Sequence, residues 1–174
     1  MAQIQNGTPQ GIRFDRRTTY FWWGEDSMSD GRDSVATAHG RVELFRSAAE
    51  CQARADAAGW HQGDADTNVL DVNPVQGWLG RRRFDLDVES ALNILNIALD
   101  FSAATGGSWD PRWGAAQNVY SKLVALNVPY AFDSRSYKSS WSPRENVVLR
   151  AALGQAVALL RRETRNLGAA QGHQ

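Results

Sequence analysis

The 174-residue chain is 43% hydrophobic and 22% charged, the balance of a single globular domain and not of a disordered or disulfide-stapled one. Its 19 basic and 19 acidic residues cancel, so the strong basic stripe of a nucleic-acid binder is missing, and no run of eighteen apolar residues supplies a helical membrane span. Cys51 is the single cysteine, which excludes an internal disulfide; with a polar N-terminal stretch in place of a secretory signal, the expected location is the cytoplasm.

The expected fold class is α+β: a small N-terminal antiparallel sheet with a short helix, followed by a three-helix C-terminal bundle packed on it. A single domain covers residues 1–174. Residues 1–13 and 168–174, rich in Gln, Gly and Asn, read as loose ends. The sheet and short helix occupy 18–75, and the helical part 85–167. Residues 18–23 are β-branched and aromatic and form a strand that Gly24 ends. Two more strands flank a turn at His39-Gly40, with Val42 and Leu44 facing the core. The acidic stretch 25–33 is too polar for burial. Ser47 and Glu50 have the spacing of a capping box, so a helix starts there and stops at Gly59. Its inner face of Ala48, Cys51, Ala55 and Ala58 suits close packing on a sheet and makes Cys51 an inert buried thiol.

Residues 68–72 read as another strand, and 76–83 are ambiguous. Asp85 or Asp87 caps a central helix that runs to about Thr105, with apolar residues around most of its circumference. Asp110-Pro111 places an N-cap before Pro at the first helical position, launching a helix with Trp113, Ala116, Tyr120 and Leu123 inward and Asn127 ending it in the left-handed conformation. Ser142-Pro143-Arg144-Glu145 combines a capping box with Pro at the first position and starts the last helix. That helix has a solvated face with Arg150, Arg161 and Arg165. Gly154 within it suggests a close helix crossing.

Seven tryptophans stand mostly beside Gly, Pro, Asp or Ser, at the ends of elements. That placement suits contact surfaces, because an indole joins a large apolar face to an N–H donor. No catalytic set accompanies them: the three histidines have no spacing that ties them to Cys51. Residues 64–68 begin like a calcium loop but lack its later Gly and Glu. Arg81-Arg82-Arg83 lacks phosphate-cradling glycines. No metal or cofactor is expected. Glu89, Asn93, Asn96 and Asp100 form a narrow polar strip on the central helix. Either that edge meets water, or the strip lines a cleft against the next helix with Asp100 as acid or base, though without a second carboxylate in view.

The strands leading through residues 42–47 into a short helix, the Leu- and Asn-rich helix ending near Asp100, residues 120–123, and the helix start at Trp141, Ser142, Pro143 and Glu145 together resemble small bacterial immunity proteins. Those neutralise toxins of contact-delivered, polymorphic systems. The resemblance implies a stoichiometric inhibitor that covers the active site of a cognate protein toxin; charge and hydropathy, separately, lead to the expectation of no membrane or nucleic-acid partner. The expected contact surface combines Asp64, Asp66 and Asp71 with Trp78, Tyr137 and Trp141, the carboxylates steering a cationic partner and the rings anchoring it. On that reading Trp78 or Trp141 can be cut to Ala without unfolding the domain. The alternative is a small-molecule binder or small enzyme with its cleft beside Asn93, Asn96 and Asp100.

Overall fold

A computed structural model describes residues 4–26, 32–63, 66–83, 85–128 and 140–165. It opens on a strand where a loose end was expected. β1 (Ile4–Phe14) pairs antiparallel with β2 (Arg17–Asp26) along its length, from Phe14 opposite Arg17 to Ile4 opposite Asp26. Its polar composition is outweighed because both of its edges are hydrogen-bonded. β2 lies on one side; β6 (His61–Gln62) and β7 (Val69–Asp71) run parallel to it on the other. β3 (Arg32–Val35) pairs antiparallel with β2, so the sheet order is β3-β2-β1-β6, with β7 also on β1. The sheet is therefore mixed and not purely antiparallel, because the chain crosses over one face before returning beside β1.

β2 does not end at Gly24, which lies opposite Gly7 where the two backbones approach closely. A methyl group on Gly7 would fall 2.7 Å from the Trp22 Nε1 atom. The acidic stretch after it is not uniformly solvated either: Asp26 is buried at the end of β2. β4 (Thr37–Ala38) and β5 (Arg41–Val42) form the expected hairpin, turned by His39 and Gly40 at φ of 53° and 73°.

Alternation along β2 divides the molecule into layers. Trp22 enters a small cluster with Ala36, Cys51 and Ala55 beneath α1 (Ala48–Ala57), its ring 5.9 Å from that of Trp60. Phe21 and Trp23 point the other way, into the main core, where Phe21 meets Phe101 edge to face at 5.0 Å. The helices of that core are α2 (Asn73–Leu79), α3 (Val88–Ala104), α4 (Gln117–Asn127) and α5 (Pro143–Arg165). α3 lies at the centre, with Ala91, Ile94, Leu95, Ala98 and Phe101 fully buried. Among the described residues, no helix is long and apolar enough to cross a membrane.

Local signals set most helix ends. The Glu50 N–H donates to Ser47 Oγ at 3.1 Å, although the Glu50 carboxylate accepts from Arg46 N and not from Ser47. Asp87 accepts from the Ser90 N–H and hydroxyl at 3.1 and 2.9 Å. Ser142 and Glu145 close a reciprocal box, at 3.2 Å from the Glu145 N–H and 2.7 Å from the Ser142 N–H.

Four expectations fail here. α4 does not start at Asp110-Pro111, because the Asp110 carboxylate is taken by the backbone and guanidinium of Arg112, and a 3-10 turn (Gly114–Ala116) intervenes. Asn127 is not left-handed; its amide donates to Val88 O and Leu123 O, tying α4 to the start of α3. Gly154 has no atom within 4 Å of a would-be Cβ, so it marks an open helix face and not a crossing. Arg150 and Arg161 do not simply face solvent: their guanidinium groups lie 3.9 Å from the Trp78 ring and 4.9 Å from the Phe14 ring.

Candidate functional site

Three of the four members of the polar strip on α3 line a cleft of about 480 Å³, within the size range of small-ligand sites. Asn93, Asn96 and Asp100 form one wall. The other comes from the sheet and not from the neighbouring helix: Gln10 on β1, Trp23 on β2, Asp33 on β3, and Asp66 and Asn68 ahead of β7. Glu89, at the exposed end of α3, is not part of it. The helical repeat puts the amides and the acid on one stripe, and the pleat puts Trp23 on the same side of β2 as Phe21, which forms the floor.

The Trp23 indole N–H donates to Asp100 Oδ2 at 3.1 Å. Burial pushes the Asp100 carboxyl up to about 6; that hydrogen bond and the charge of Arg112 pull it down, while the charge of Asp33 adds to the rise. Asp33 is itself raised by burial and by Glu25. Asp100 thus has a neighbouring acid after all, Asp33, contributed by a strand. Asn96 Oδ1 accepts from the Tyr120 hydroxyl at 2.8 Å, which fixes the amide and leaves its NH₂ available. Gln10 donates to Thr8 Oγ1 and to Asp66 O. None of the lining residues carries a positive charge. A carboxyl poised near 6 exchanges its proton close to neutrality, and the cleft as a whole favours positive charge.

A second concavity, of about 610 Å³, lies between residues 108–116 and the outer side of α5. Trp109 forms its floor, fixed by its N–H donating to Ser102 Oγ and its indole N–H to Gln155 Oε1. Trp113 is 71% exposed and Val147 is 70% exposed, one on each flank. The expectation that Trp113 turns inward rested on a helix starting at Pro111; with α4 starting six positions later, the indole projects outward.

The expected contact residues are dispersed. Asp64 and Tyr137 lie outside the described residues. Asp66 is exposed at the rim of the acidic cleft. Asp71 is engaged locally, accepting from the Asn73 backbone N–H and side-chain amide at 2.9 and 2.7 Å. Trp78 is only 3% exposed and is covered by Arg150, which also donates to Trp78 O and Leu79 O. Such an indole offers a partner almost no surface, so Trp78 is a core residue. Trp141 is half-buried beneath the Lys122 ammonium, 4.7 Å from its ring. The Cys51 thiol is fully buried and pushed up to about 12, by burial first and then by Glu43, which fits an inert thiol. Among the described residues, no three His, Cys, Asp or Glu side chains stand close enough to hold a metal ion. Comparisons with family models, with curated proteins and with solved structures return no match to this chain.

Proposed function

We propose that the chain is a protein-binding inhibitor that neutralises a cognate bacterial toxin by covering its active site, and that it binds through the trough between residues 108–116 and α5. One observation carries this reading: the large hydrophobic side chains most exposed among the described residues, Trp113 and Val147, flank the same concavity. An exposed tryptophan beside a shaped apolar trough is the composition of an interface hot spot. The outer row of α5 continues the surface with the exposed Ala151 and Ala158 and the open side of Gly154. The resemblance to immunity proteins supplies the kind of partner.

The rim indicates that partner's chemistry. Asp110 and Arg112 already neutralise one another at 2.6 Å, and Arg162 is paired with Glu163. A partner therefore meets an apolar surface whose nearest charge without an ion pair among the described residues, the exposed Arg144 one turn before Val147, is positive, so a protruding apolar segment fits better than a basic nuclease face. Coexpression with the product of the adjacent reading frame tests the proposal, which requires that product to be toxic on its own. Wild type restores growth, and the double variant Trp113→Ala, Val147→Asp does not, although it folds and accumulates normally. Full protection by that variant, or no protection by wild type, refutes it.

A further inference from the structure

We propose that the cleft between α3 and the sheet is a binding site for a small organic cation of the di- or polyamine class, held between Asp33 and Asp100 against the Trp23 ring. The cleft shares no lining residue with the trough between residues 108–116 and α5.

The cleft has ligand size, and carboxylates from three separate segments line it: Asp33 on β3, Asp66 ahead of β7 and Asp100 on α3. No Lys, Arg or His lines it. Since no three acidic or metal-ligating side chains converge on one point among the described residues, the negative charge is spread along the cleft. Spread charge suits a molecule with separated cationic centres better than a bare metal ion. The remaining lining fits N–H donors: among the described residues the Asn93 carboxamide has no hydrogen-bond partner, and its carbonyl oxygen is free to accept. Trp23 lines the cleft and spends its N–H on Asp100, so what remains of its side chain for a ligand is an aromatic ring, a partner suited to ammonium groups.

Binding is linked to protons. Asp100 is faced by Trp23 from β2, Asp33 from β3, Arg112 from the segment after α3 and Tyr120 from α4. Of these only Asp33 joins Asp100 in drawing a cation into the cleft, and a cation arriving there favours the ionised form of both. Affinity therefore falls as the pH drops through about 6 and Asp100 takes up its proton.

The test uses the full chain, labelled with ¹⁵N, and follows the Trp23 indole N–H resonance, assigned with Trp23→Phe. Putrescine and spermidine are titrated at pH 7.5, with butane-1,4-diol as the uncharged isostere of putrescine. The expected result is a saturable shift with both amines and none with the diol. Asp33→Asn and Asp100→Asn should each weaken binding about tenfold, as should lowering the pH to 5 in the wild type. Should the cleft be a neutral polyol site, the diol will bind as well as the diamine. Should the amines only screen surface charge, the shift will be unsaturable and unchanged in both variants. Either result, or no shift at all, overturns the proposal.

Discussion

Trp23 and Asp100, 77 positions apart in sequence, meet through an indole N–H to carboxylate hydrogen bond of 3.1 Å that joins β2 to α3. The bond holds the acid against the sheet wall of the cleft, where burial raises its proton affinity, with its amide neighbours Asn93 and Asn96 on the same helical stripe.

The raised Asp100 carboxyl makes folding stability depend on pH. Below the ordinary value of 3.8 both folded and unfolded chains are protonated and no penalty exists; between there and about 6 the penalty grows, and above it is complete. Asp100→Asn keeps an acceptor for Trp23 and removes the charge. Urea unfolding should show the variant about 1–2 kcal/mol more stable than wild type at pH 7.5 and equal to it at pH 3.5. A uniform loss at both pH values would mean that the residue serves only as a hydrogen-bond acceptor.

Two tryptophans should respond in opposite ways to truncation. Trp78→Ala empties a core position and strips the surface on which Arg150 stacks, and should cost about 3–5 kcal/mol in chemical unfolding. Trp113→Ala removes a side chain that is mostly in water, and its midpoint should stay within about 0.5 kcal/mol of wild type.

What the sequence disclosed follows from how local each cause is. The caps at Ser47 and Ser142 are legible, and Asp87 as one of two candidates with Asp85, because donor and acceptor lie within a few residues. So is the turn at His39-Gly40, whose backbone demands a permissive pair. β1 is not, since its residues carry little strand propensity and are held by pairing with β2, β6 and β7. The α3 half of the cleft is visible as a periodic strip. Trp23 and Asp33 reach it from strands, and nothing local announces that meeting. The outward direction of Trp113 is hidden for the same kind of reason: Asp110 engages the guanidinium of Arg112 and caps no helix, and the indole's direction changes with it.

Lys122 and Glu145 should show the asymmetry of a pair with one buried member. The Lys122 ammonium is buried, donating to Ser140 O at 2.8 Å and to Glu145 at 3.0 and 3.2 Å. Glu145→Gln strands a buried charge and should cost about 3 kcal/mol, whereas Lys122→Met leaves a carboxylate that still reaches water and the Ser142 N–H and should cost about 1 kcal/mol. The double variant should recover much of the larger loss. The Ser142 backbone N–H, with help from Lys122, also holds the Glu145 carboxyl below its ordinary value of 4.5. That contribution to stability is present above pH 4.5 and fades as the pH falls through the lowered value.

If the proposed inhibition holds, association with the toxin partner it requires should depend weakly on salt. Asp110 and Arg112 at the trough are already paired and Arg144, one turn before Val147, is a single exposed charge, so raising ionic strength from 50 to 500 mM should change affinity less than about threefold. A steep loss would point instead to recognition through exposed carboxylates such as Asp66.

The most direct measurement is amide hydrogen exchange of the chain alone and with the toxin that the proposal requires. Recognition through the Trp113 and Val147 trough requires slowed exchange in residues 108–116 and along α5 from 143 to 158, with residues 66–71 and 93–100 unchanged. Protection centred on 66–71 or on the α3 cleft, with the trough still exchanging freely, would contradict it.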